Sequence, residues 1–172
     1  DIAQWAIAPG LPGPESIELV YAEHPVAFEN GRPTVTNTYN TATSFKVRCA
    51  FAGGVEMFIV NEAKDLGFDN GIMFESDGGR YFVNRGKLTG SPIEDLAKNP
   101  LPEDLFTKLR KGQDKLSHRA NFLTCCDSRD TPISDAESHC RHLNTCHLAN
   151  IAVRLGRSLK WDATKQQVVG DE

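Results

Sequence analysis

No apolar run in these 172 residues approaches the roughly 20 that a bilayer-spanning helix needs, and no basic-then-apolar leader opens the chain. The sequence therefore predicts neither a membrane span nor an export signal of its own. An excess of charge is missing too, because 19 basic and 23 acidic residues interleave to a net charge of −4. Without a basic patch there is no electrostatic footprint for a phosphate backbone, and nucleic acid is not an expected partner. The 14 glycines include no two at G-x-G spacing, so a dinucleotide fingerprint and a P-loop are both absent. Neither a G-x-S-x-G elbow nor a C-x-x-C or H-x-x-x-H element occurs, which argues against a serine hydrolase and a closed zinc site. The 5 cysteines are odd in number and lack the regular spacing of a disulfide scaffold. They read as small buried hydrophobes kept reduced, which favours a cytoplasmic location, with an exported form left open by any segment ahead of Asp1.

What is present suits an ordinary globule. Hydrophobic residues make up 40% of the chain, and its length is that of one domain, here residues 1–172. Size scaling predicts a folded surface of roughly 8,400 Å² with about 70% of the unfolded chain's surface buried. An opening helix gives way to a loop broken by Pro9, Gly10, Pro12, Gly13 and Pro14. Ser16 to Ala22 reads as a strand, and Glu29-Asn30-Gly31-Arg32-Pro33 as a turn cluster. Phe45, Val47, Cys49 and Phe51 alternate with Ser44, Lys46, Arg48 and Ala50, the pattern of a strand with one buried face. Gly53-Gly54 joins it to Val55–Val60 as a hairpin, and Asp77-Gly78 joins 72–75 to 80–83 as another. Connections this short make an antiparallel meander.

Helices dominate the later part. Pro102 is expected in the first turn of a short helix, and a charged connector from Lys108 to Lys115 leads to two longer ones. Ser117 can cap the first, and Ser134-Asp135-Ala136-Glu137 is a capping-box pattern opening the second, which stops at Gly156. At 100° per residue Cys140, Leu143, His147, Leu148, Ile151 and Leu155 fall on one stripe that a sheet should cover. Ser158–Trp161 and Gln167–Val169 return as edge strands. The order predicts an α+β fold: an open, mostly antiparallel sheet with helices packed on one face.

Several residue groups invite a functional reading. Lys46 and Arg48 project from the open face of a central strand, available to a partner, a substrate, another subunit or solvent. His147 lies on the apolar stripe, either as a core histidine bonded to a backbone carbonyl or as a proton-transfer group beneath a substrate pocket. His139, His142 and Cys146 lie at i, i+3 and i+7, a weaker arrangement for zinc. Cys125 and Cys126 fall late in their helix, where the dipole opposes a thiolate.

Asp1-Ile2-Ala3-Gln4-Trp5 before a proline- and glycine-rich turn resembles the stretch just after the catalytic histidine of the Gfo/Idh/MocA oxidoreductases. Ser117-His118-Arg119-Ala120-Asn121-Phe122-Leu123, Thr131-Pro132, His139, Cys146-His147-Leu148-Ala149-Asn150-Ile151-Ala152 and Leu155-Gly156-Arg157 through Leu159-Lys160-Trp161-Asp162 resemble the C-terminal α/β domain of one bacterial branch. The resemblance covers nearly the whole chain and is most specific at 146–162. It implies a two-domain enzyme in which an N-terminal Rossmann domain, absent from these residues, binds NAD or NADP. The family pattern Asp-x-x-x-His-x-x-Asp aligns its last acid with Asp1, placing the catalytic histidine three residues upstream and making Asp1 a substrate-pocket candidate with Lys46, Arg48 and His147. The implied function is the substrate-side and oligomerisation domain of an oxidoreductase for a sugar or polyol-like small molecule, itself inactive. Its expected partners are its own Rossmann domain and further copies bound through the open sheet face. The alternative is a stand-alone, non-enzymatic binding or interaction module of the same fold.

Overall fold

A computed structural model describes residues 2–8, 10–64, 67, 70–109 and 117–170. The elements run α1 (Ile2–Ile7), β1 (Ser16–Glu23), β2 (Phe28–Glu29), β3 (Arg32–Pro33), β4 (Ser44–Ala50), β5 (Glu56–Val60), β6 (Ile72–Ser76), β7 (Gly79–Val83), β8 (Leu88–Gly90), α2 (Ser91–Asp95), α3 (Leu105–Leu109), α4 (His118–Ser128), α5 (Ala136–Leu155), β9 (Leu159–Asp162) and β10 (Gln167–Val169). The class is α+β, with open antiparallel sheets. Two compact units divide the chain, residues 1–66 with 137–172 and residues 67–136.

The first unit is built on a sheet of order β10-β9-β1-β4-β5. Alternation explains its inner face: Val47 and Cys49 of β4 meet Ile17 of β1 and Leu159 of β9, each at most 3% exposed. Backbone bonds lash the neighbours of β1 together beyond the ladder, since Glu15 N donates to Ala50 O (2.8 Å) and Trp161 N to Glu15 O (2.9 Å). Between Leu19 and Tyr21 the pairing with β4 shifts register, leaving Val20 as a bulge. Asn30 and Gly31 both take positive φ, 50° and 73°, so the expected turn cluster closes into the small β2–β3 hairpin.

Helix α5 covers the inner face and ends at Gly156, whose φ of 66° continues no helix. Its buried residues are Thr145, Leu148, Ala149, Ala152 and Val153. This corrects the expected stripe: of its members only Leu148 is buried, whereas Leu143, Ile151 and Leu155 are 53%, 41% and 37% exposed, and Cys140 and His147 are exposed as well. The reason is steric, because the small side chains of Thr145, Ala149 and Ala152 let the helix backbone lie close to the sheet, with Leu148 and Val153 completing the seam. Helix α1 joins the same core through Ile7, and Ala8 follows it into the cluster. It also presents buried Gln4, whose Oε1 accepts from Thr145 Oγ1 at 2.7 Å while its Nε2 has no partner among the described residues.

The second unit carries the sheet β6-β7-β8. The Asp77-Gly78 hairpin forms, but its positive φ falls on Gly79 at 125°. Two short elements go beyond the sequence reading: β8, and α2 with Pro92 in its first turn, where the ring's fixed φ suits a helix start. Helix α3 begins at Leu105, so Pro102 precedes it and accepts the Leu105 N–H at 3.0 Å instead of lying inside its first turn. Ser117 caps α4 as expected, its Oγ accepting from Ala120 N at 3.3 Å. Most of the expected connector, 110–116, lies outside the described residues.

Among the described hydrophobic residues of 67–136 only Phe82 and Cys125 are strongly buried, so the core belongs mainly to the first unit.

Candidate functional site

Within the first unit a cavity of about 200 Å³ opens between α5, the inner face of β4 and β5, and the segment 40–42. Phe45, Val47, Ile59, Ala149 and Val153 make its apolar floor. Polar groups ring it: His24, Asn40, Thr41, Cys146, Asn150 and Arg154. Residues 146, 150 and 154 recur every four positions, so α5 presents them as one row beside its buried seam.

The rim is braced. Thr43 N donates to Glu23 O (2.8 Å), and Asn61 ties two strand ends by accepting from Phe45 N (2.8 Å) and donating to Thr43 O (2.9 Å). Arg154 is held by the β2–β3 hairpin: its Nε donates to Gly31 O at 3.3 Å and its guanidinium carbon lies 5.5 Å from the Phe28 ring centroid. The other side of this arrangement is His24, whose ring centroid is 4.3 Å from that of Phe28. Among the described residues no aspartate or glutamate lines the cavity.

Of the described residues singled out from sequence as site candidates, only Cys146 lines the cavity. Lys46 and Arg48 occupy the opposite face of β4. There Arg48 pairs with Glu18 at 2.8 Å and with Glu56, while Lys46 Nζ sits 4.9 Å from the Phe58 ring centroid. The hydrogen bond from Arg48 holds the Glu56 carboxyl below its ordinary value, and both acids hold the guanidinium more firmly protonated. His147 is exposed and does not line the cavity, so it is not a core histidine. Asp1 lies outside the described residues. His139 and His142 are neighbours, with ring centroids 6.4 Å apart, but Cys146 faces the cavity. No group of three or more His, Cys, Asp or Glu among the described residues is placed to hold a metal ion. No described helix is long and apolar enough to cross a membrane.

The cysteines divide by environment. Cys49 and Cys125 are buried, and Cys126, Cys140 and Cys146 are exposed, against the expectation that all are buried hydrophobes. Burial, with a smaller contribution from the Cys146 charge, pushes the Cys49 thiol up from 9.0 to about 12. Raised in the folded state, this thiol contributes stability that is intact below 9.0 and lost as pH rises towards about 12. Iodoacetamide at mildly alkaline pH should therefore modify Cys126, Cys140 and Cys146 in the native chain, and Cys49 only after denaturation. Peptide mass mapping reads the outcome, and native labelling of Cys49 as fast as Cys126 would contradict the packing described.

Sequence reasoning missed His24, Asn40, Asn150 and Arg154. Two signals pointed to them: the Asn30-Gly31 hairpin dipeptide, and the i, i+4 row of polar residues on α5 beside its small ones. No protein-family model matches the chain, and neither the curated proteins nor the solved structures contain a match.

Proposed function

We propose that this chain is the substrate-side and subunit-contacting domain of an NAD(P)-dependent oxidoreductase of the Gfo/Idh/MocA type, acting on a sugar or polyol-like molecule. The observation that carries the reading is the cavity of about 200 Å³, an apolar floor under a ring of hydrogen-bonding side chains. Ligand sites join a mostly apolar lining to a few placed polar groups in this way. The open antiparallel sheet with a helix on one face supports the reading. Residues 146–162, where the resemblance is most specific, form the packed end of α5, its glycine stop and β9.

The 172 residues contain no G-x-G turn to approach a pyrophosphate, so they do not fit the cofactor, which belongs to a dinucleotide-binding domain outside them. The work of this chain is then binding and orientation. Amides of Asn40 and Asn150 and the Thr41 hydroxyl can meet substrate hydroxyls, while Phe45, Val47 and Ile59 lie under the C–H faces of the substrate and exclude water. On the other sheet face Tyr21 and Phe58, 45% and 49% exposed, flank the Arg48 ion pairs and support a subunit contact there.

The purified chain, supplied with NAD or NADP and a panel of sugars and polyols, is expected to form no reduced nicotinamide, whereas the product of the complete gene should. Turnover by the chain alone, or none by the complete product, would refute this reading. The coding sequence upstream of Asp1 separates the rival binding module. A G-x-G-x-x-G and a histidine three codons before Asp1 support the enzyme; a stop codon or signal peptide supports the module.

A further inference from the structure

We infer that the cavity beside α5 selects a small carboxylate, with Arg154 as the group that receives it. The inference rests on the cavity being the substrate site and names the substrate class it takes.

The charge balance comes first. Arg154 lines the cavity and, among the described residues, no aspartate or glutamate does, so the fixed charge facing its interior is positive. Arg48, Arg80 and Arg141 each pair with a glutamate, whereas Arg154, facing the cavity, has no carboxylate partner among the described residues. Among the described residues its guanidinium contacts are the Nε bond to Gly31 O and the Phe28 ring. These fix the plane of the guanidinium and leave its two Nη groups without a protein acceptor among the described residues. A planar fork of N–H donors held in place is the geometry that a carboxylate accepts bidentately.

Size and lining narrow the class further. The cavity's roughly 200 Å³ is below the ~300–1,000 Å³ typical of sites for drug-sized ligands. Val47, Ile59 and Val153 offer nothing polar to the remainder of the ligand, so its far side is C–H surface. Asn40 and Asn150 give hydroxyl-sized partners at the rim. A short hydroxy-acid or sugar acid satisfies all three conditions, and a neutral polyol leaves Arg154 unanswered.

The test compares each acid with its own neutral amide on the unaltered full chain: lactate with lactamide, isobutyrate with isobutyramide and gluconate with gluconamide, by titration calorimetry. At least one acid is expected to bind ten times or more tightly than its amide. Arg154→Gln should erase that preference and Arg154→Lys should keep part of it, with circular dichroism confirming that each variant folds. Equal affinity within every pair, or no binding by any of the three acids, overturns the inference whether or not the variants fold. Acid-selective binding without turnover by the complete gene product would remove the oxidoreductase reading and keep the carboxylate site. Turnover of neutral polyols without acid-selective binding would do the reverse.

Discussion

Replacing Ile17 with alanine is expected to destabilise the chain by about 2–5 kcal/mol, a fall of roughly 4–20 °C in Tm. Ile17 is 0% exposed and sits between Cys49 on β4 and Leu159 on β9, with the core residues of α5 packed in the same cluster. Neighbours on two strands are fixed by backbone ladders and cannot close around a missing side chain, so most of the void persists and adds to the lost transfer energy. Val20→Ala is the matched control: the same strand, but 47% exposed on the bulge, with an expected change within about 0.5 kcal/mol. Urea unfolding of both variants measures the difference. If Ile17→Ala proves as mild as Val20→Ala, the inner face of this sheet is not packed as described.

Gly90→Ala should cost a similar amount by a different route, about 2–6 kcal/mol. Gly90 closes the β7–β8 pairing opposite Tyr81 at a φ of 132°, which side chains rarely adopt. A Cβ there would lie 2.3 Å from Arg80 O and 2.7 Å from Tyr81 Cα. Both are backbone atoms in a ladder, so relief requires moving a strand. Gly53→Ala gives the comparison, because its φ is also positive, at 80°, but an added Cβ meets nothing within 4 Å. It should show only the left-handed backbone penalty, about 1–2 kcal/mol. Hydrogen exchange localises the effect: Gly90→Ala should speed exchange across 72–90, and equal behaviour of the two variants would contradict the close approach.

How legible each part was follows from the kind of signal it carried. Strand β4 was readable because large apolar side chains alternate with polar ones, and Ser117 because a cap is a local interaction. The orientation of α5 was not, since hydrophobicity favours Leu143, Ile151 and Leu155 while packing favours Thr145, Ala149 and Ala152. That rotation of the helix also moved the site. Once the seam runs through 145, 148 and 152, the neighbouring row of Cys146, Asn150 and Arg154 reaches the cavity, and His147 turns outward. Arg154 further depends on the β2–β3 hairpin more than a hundred residues away in sequence, a tertiary contact that no local pattern announces. The second sheet was half-legible: its Asp77-Gly78 turn is a two-residue signal, whereas β8 has only three residues.

The bulge at Val20 has a consequence for how the largest sheet assembles. Before it the inward residues of β1 are odd-numbered, Ile17 and Leu19; after it the inward residue is Ala22, opposite Phe45, while Tyr21 stands opposite Lys46 on the other face. The strand thus changes parity partway along. Strand β4 keeps one parity throughout, so a β1 without the extra residue would turn one of its halves inside out, with either Ile17 and Leu19 or Ala22 facing away from the core. A single supernumerary residue lets a strand whose apolar pattern changes parity partway keep one face to the core along its whole length.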